Sequence, residues 1–119
     1  MENILEGFIV LEKINELIYK AMSYDIKIGP FETNHTYNGS REIKELVGFT
    51  PSEFDGFPAC IVYKLVDDML KEVIKNKEKL EKIMLSKYYG CGTYETWVSF
   101  LTNIKNACKE YQFEMVIVS

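Results

Sequence analysis

The chain has 119 residues, 47% of them hydrophobic, with Tyr 8, Phe 7 and Trp 1. That is enough to close a core in a single domain, residues 1–119, without a metal or disulfide staple. Its net charge is −4, its pI is about 5.1, and Arg41 is the only arginine among its 14 basic residues. This balance excludes the Arg/Lys-rich face of a nucleic-acid binder.

The three cysteines, Cys60, Cys91 and Cys108, show no CxxC spacing. Metal and redox motifs are therefore unsupported, and reduced thiols in a cytosolic protein without cofactors are expected. Cys60 and Cys108 are expected on apolar helix faces. No apolar run approaches the ~20 residues of a membrane span, and Met1-Glu2-Asn3 lacks the basic start of a signal peptide.

In chain order, Ile4, Phe8, Leu11, Ile14, Ile18 and Met22 recur at steps of three and four, a helical stripe. Phe8-Ile9-Val10-Leu11 is short enough to be a strand instead. Asp25-Ile26-Lys27-Ile28 alternates as a strand does. Gly29-Pro30 interrupts it, which predicts an edge strand or a bend before the extended chain resumes over 31–37. Asn38-Gly39-Ser40 is turn chemistry, with Ser40 as the expected cap of a short helix over 41–47 that ends at Gly48. Thr50-Pro51-Ser52-Glu53 matches a capping box, stopped after one turn by Asp55-Gly56. Phe49, Phe54 and Phe57 are expected to plug this loop into the core.

Residues 59–75 carry a broad apolar face: Ile61, Val62, Leu65, Val66, Met69, Leu70, Val73 and Ile74. Asn76 breaks the helix, and Leu80, Ile83, Met84 and Leu85 continue a shorter one to about 86. Tyr88 to Gly92 reads as a loop. Thr93 then caps a helix over 94–110, lined by Trp97, Leu101, Ile104 and Cys108. Phe113 to Val118 is β-branched and needs a strand partner. The expected class is α+β: four to five helices, with a small antiparallel sheet pairing residues about 25–36 with the C-terminal strand, about 113–118.

On a strand, Asn34, Thr36 and Asn38 share one face, because the side-chain period is two. Two amides and a hydroxyl suit a base, a sugar or a peptide backbone. Equally, such residues cap turns. His35 faces the other way, with no nucleophile motif beside it, so an enzyme built on it ranks last. Arg41, in the first turn of a helix, could hold an anion or pair with Glu45 at i+4. Tyr88, Tyr89 and Tyr94 frame a Gly-rich loop and could stack on a ligand. Gly90-Cys91-Gly92 is not a phosphate loop. Asp67 and Asp68 diverge by about 100° on a helix and read as surface charges.

Several short motifs occur in a telling order. They are Asn34-x-Thr36-x-Asn38, Tyr89-Gly90-x-Gly92-x-Tyr94, Phe100-Leu101, Cys108 and Val116-Ile117-Val118-Ser119. Over about residues 31–119 the chain resembles a family of small uncharacterised proteins common in bacteriophage genomes. That family shows an Asn-x-Thr-His-Asn segment, a Trp-Gly-x-Tyr segment, a Cys-containing last helix and a Val-x-Val-Ser end. Tyr37 stands where the family has His, and Cys91 separates the two Gly where the family has an aromatic-Gly step.

The resemblance implies a phage or prophage setting, in the cytoplasm of an infected or lysogenic bacterium. Such proteins bind and block a host factor, or sequester a nucleotide-derived immune signal. The expected function is non-catalytic binding of a small polar or nucleotide-like ligand by Asn34, Thr36, Asn38, Arg41 and Tyr94. His35, Tyr37 and Tyr89 are secondary candidates. The alternative is an acidic protein–protein inhibitor of a host or toxin enzyme. Self-association into a homo-oligomer is kept as a further option.

Overall fold

The computed structural model describes residues 23–88 and 92–119. The expected helix over most of 10–22, the helix-or-strand stretch of 3–11 before it, and the loop residues Tyr89, Gly90 and Cys91 lie outside the described residues.

The alternating segment Ser23–Ile28 forms β1, and Phe31–Thr36 forms β2. They pair antiparallel from Ser23 opposite Thr36 to Ile28 opposite Phe31, so Gly29-Pro30 is a two-residue hairpin turn. Gly29 takes φ 57°, and the ring of Pro30 fixes its own φ near about −65°. That pairing of signs belongs to a type II′ turn, whose twist suits the flanking strands. Two strands thus occupy the stretch read as one bent strand. Pro30 sits in the turn, where the ladder needs no donor.

The helices are α1 (Ser40–Val47), α2 (Ala59–Lys75), α3 (Lys77–Tyr88) and α4 (Tyr94–Glu110), with a 3-10 turn at Pro51–Phe54. The last strand, β3 (Val116–Val118), joins the far side of β1 antiparallel, giving the order β2-β1-β3. The chain is therefore α+β, with a small antiparallel sheet in which the C-terminal strand meets the early hairpin, as expected. β3 begins at 116 and not at 113 because the preceding backbone serves α2. Ala59 N–H donates to Glu114 O at 2.8 Å and Cys60 N–H to Gln112 O at 3.0 Å. These are two of the donors a helix start leaves without an internal partner.

Val62, Val66, Met69 and Val73 of α2 are fully buried with Trp97, Leu101, Ile104 and Cys108 of α4. Tyr24, Ile26, Ile28 and Val116 close the core from the inner face of the sheet. The buried stripe of α2 is narrower than its sequence implied. Ile61 is 49% and Ile74 51% exposed, because each lies to one side of the line through Val62, Val66 and Val73. Leu85 on α3 is 63% exposed.

Cys60 is exposed and not on a packed face; it lies in the first turn of α2. Of the three loop aromatics, Phe54 is buried and Phe49 packs against the core, whereas Phe57 is 46% exposed. Phe57 contributes its backbone instead: its carbonyl accepts from Val116 N–H at 2.9 Å. Asp67 is not a free surface charge. It bridges α2 to α4, with Oδ1 2.8 Å from Lys105 Nζ and Oδ2 2.9 Å from Lys71 Nζ. Hydrogen bonds from Lys105 first and Lys71 second hold its carboxyl below the usual carboxylate range.

Candidate functional site

The hairpin is docked onto the start of α4 by the segment that carries the sequence motifs. Tyr37 to Ser40 turns back on itself through Ser40 N–H to Tyr37 O at 2.9 Å. Gly39, not Ser40, is the N-cap of α1, with φ 93° and no side-chain cap. Ser40 is already helical, and its Oγ instead lies 2.7 Å from the Tyr24 hydroxyl. At Thr50 the expected box is likewise unmade: no side chain caps the 3-10 turn, and Thr50 O accepts from Glu53 N–H at 3.1 Å. A 3-10 turn closes through backbone i to i+3 bonds and leaves the box no role.

Glycine is required at 39 on two grounds. Its φ is in the left-handed region, and a Cβ there would collide with Trp97 Nε1. That indole N–H donates to Asn38 O at 2.8 Å. Gly92 closes the same joint from the other side: at φ 82°, an added Cβ would lie 2.5 Å from Asn38 Cβ and 2.6 Å from Asn38 O. Asn38 is therefore wedged between Gly92 and Trp97.

His35 is the polar centre of this seam, 8% exposed. Its ring lies 4.4 Å from that of Trp97 and 4.9 Å from that of Phe100, centroid to centroid. Nδ1 is 2.6 Å from Thr36 O, and a carbonyl can only accept, so Nδ1 carries the proton. Nε2 is 3.0 Å from Thr96 Oγ1. The Thr96 hydroxyl also lies 3.0 Å from Thr93 O, so its single proton serves two acceptors. With a neutral ring, Thr96 donates to Nε2. Burial is the main cause that pushes the His35 pKa down, and the hydrogen bond to Thr36 opposes it. The adjoining N-terminus of α4 also disfavours a cation. His35 is thus a neutral packing residue with both nitrogens occupied, not a group presented to a ligand.

The other expected site residues do not converge on one hollow. Thr36 Oγ1 accepts from Asn38 N–H at 3.3 Å, an ST turn on its own backbone. Asn38 lies beyond the end of β2, so the two-residue alternation no longer governs where it points. Arg41 pairs with Glu45 at 3.6 Å, and both side chains stand in solvent. Tyr94 is 8% exposed and carries Lys77 Nζ 5.8 Å from its ring centroid, so it packs toward α3. Tyr37, 37% exposed, meets the Tyr24 ring edge-on at 4.4 Å. Tyr89 lies outside the described residues.

Asn34 opens onto a concavity. It lines a hollow of about 480 Å³ on the outer side of the sheet, with Asp25, Lys27, Glu32, Thr33 and Ser119. Lys27 Nζ and Glu32 Oε1 form an exposed pair there at 3.0 Å. Asp25, Lys27 and Glu32 were missed as site residues. Their signal was the Gly-Pro turn: once it is read as a hairpin, Asp25 falls opposite Asn34 and Lys27 opposite Glu32.

Cys108, beside a smaller hollow of about 220 Å³ with Cys60 and Tyr63, is no ready nucleophile. Burial pushes its thiol up to about 12. Among the described residues no helix is long and apolar enough to cross a membrane. No protein-family model, curated protein or solved structure matches the chain.

Proposed function

We propose that the protein is a non-catalytic binder that takes a small polar or nucleotide-like ligand in the hollow on the outer face of the sheet. The observation that carries this reading is the hollow itself. Asn34 offers an amide, Asp25 and Glu32 offer acceptors, and Lys27 offers a cation, on a backbone fixed by three paired strands. Its volume of about 480 Å³ falls within the size of small-molecule sites. The absence of catalysis in this reading rests on chemistry. The one histidine has both nitrogens engaged, and the described buried thiol is held protonated. The resemblance to phage proteins supports a phage or prophage setting in the bacterial cytoplasm, with a nucleotide-derived signal as the ligand class.

Thermal-shift titration with nucleotides and cyclic nucleotides is the test. A shift is expected that Lys27→Ala and Asn34→Ala each reduce at least tenfold in ligand affinity. No shift with any of them, or a shift indifferent to both substitutions, overturns the assignment of the hollow.

A second reading, an acidic inhibitor of a host or toxin enzyme, is favoured by one specific observation. Phe113, Met115 and Ile117 are 96%, 57% and 51% exposed along the C-terminal segment, and Ile117 borders the same hollow. Apolar anchors beside acidic groups suit a basic protein surface. Salt-dependent capture of a host protein, lost in Phe113→Ala and Ile117→Asp, would favour it over the small-ligand reading.

A further inference from the structure

The two edges of the sheet are not treated alike. Beyond β3 the edge is closed. Gly56 N–H donates to Val116 O and Val116 N–H to Phe57 O, each at 2.9 Å. Val118 N–H donates to Asp55 Oδ1 at 2.9 Å. Beyond β2, none of the described residues supplies a strand partner.

Strand alternation identifies which groups face outward there. The backbone N–H and C=O of Asp25 go to Ser119, so Asp25 and Lys27 look toward β3. Their cross-strand mates in β2, Asn34 and Glu32, therefore turn their own N–H and C=O away from β1, and Thr36 turns its N–H the same way, while its C=O already accepts from His35 Nδ1 at 2.6 Å. An open edge of this kind is ordinarily guarded by lysine, proline or a bulge. Within Phe31–Thr36 the only charge is Glu32, which pairs with Lys27 of β1 at 3.0 Å in solvent.

We infer that β2 is a self-pairing edge, across which a second copy of this chain adds its own β2 antiparallel to make one six-stranded sheet. The register is set by charge and by hydrogen bonding together. With the two-fold axis at Asn34, the Asn34 amides face each other and Glu32 lies opposite Thr36 of the other copy. Asn34 then both donates and accepts across the axis, and Thr36 N–H donates to Glu32 O of the other copy. Shifting the pairing by four residues in total toward the turn sets Glu32 against Glu32, a like-charge contact that destabilises a strand pair, and the opposite shift leaves both Glu32 and Asn34 without strand partners. Shifting by two loses the partners of either Thr36 or Glu32. The hollow beside Asn34 and its symmetry mate then lie on either side of the axis. This inference does not depend on the hollow being a ligand site.

Sedimentation velocity across a range of concentrations tests it on the full chain. The wild type is expected to double its mass as concentration rises, and Asn34→Pro to stay monomeric with its far-UV circular dichroism unchanged. Proline at 34 removes only an outward donor and is tolerated on an edge. Should that variant fold poorly, a charge swap reads the register directly. Asn34→Lys and Asn34→Glu are each monomeric alone and form a heterodimer when mixed. A wild type that is monomeric at every concentration overturns the inference, including one that instead binds an extended peptide from another protein. So does a dimer that survives Asn34→Pro in a folded chain, or a charge-swapped pair that fails to associate.

Discussion

Replacing Gly39 by alanine perturbs the joint between hairpin and helix at its tightest point. The left-handed backbone at φ 93° costs an L-residue about 1–2 kcal/mol. The new methyl group would collide with Trp97 Nε1 and lie 3.1 Å from Met84 Cε, and overpacking of a closed core costs about 1–3 kcal/mol. If the indole moves aside, its N–H leaves Asn38 O, and a buried donor without a partner costs about 1–3 kcal/mol. These contributions overlap, so a loss of about 3 kcal/mol or more is expected, a large share of the ~5–15 kcal/mol typical of a domain. Gly48→Ala is the control: its φ is 88° but nothing lies within 4 Å of the added carbon, so only the backbone cost of about 1–2 kcal/mol applies. Urea unfolding of both variants, followed by tryptophan emission and circular dichroism, measures the difference. Equal losses at 39 and 48 would refute the claim that close packing against Trp97 makes glycine obligatory at 39.

Gly92→Ala, with its added carbon 2.5 Å from Asn38 Cβ, is expected to cost as much as Gly39→Ala in the same urea assay. The His35 pKa is lowered by burial, so the unfolded chain binds its proton more readily. Its contribution to stability is complete above about pH 6.5 and declines as pH falls from there toward the folded-state pKa, by at most about 1.4 kcal/mol per pH unit. Unfolding curves measured over this range should flatten in His35→Gln relative to wild type. In a Cys91→Ser background, a thiol reagent at pH 8 should modify the exposed Cys60 at once. Cys108, with its thiol pushed up to about 12, should react only as the protein unfolds. Arg41→Ala should leave the melting temperature unchanged, because its pair with Glu45 is exposed on both sides.

The helical half of the fold was legible because it depends on periodicity and end signals. Val62, Val66, Met69 and Val73 define α2 by spacing alone, and its bounds match the reading of 59–75. Thr93 was read as a cap, and its Oγ1 accepts from Thr96 N–H at 3.4 Å. What escaped the reading depends on contacts between distant segments. Ser40 has the chemistry of a cap, but Tyr24, sixteen residues earlier, claims its hydroxyl. Asn38 looked like a ligand group because nothing local reveals that Trp97 and Gly92 will close on it. Asn34 was read as one of a polar set with Thr36 and Asn38, and its actual neighbours Lys27 and Asp25 depended on recognising that Pro30 could sit inside a turn.

The position of β1 at the centre of the sheet has a consequence for synthesis. The hairpin of residues 23–36 is complete early, but the groups of Asp25 and Lys27 that face β3 wait for some eighty more residues to be translated. Until residues 116–118 leave the ribosome, both flanks of the nascent ribbon offer open hydrogen-bonding groups. Such ribbons associate with one another when crowded. Truncation just before Val116 should therefore turn a well-behaved polypeptide into one that collects in inclusion bodies, even though it removes only the shortest strand.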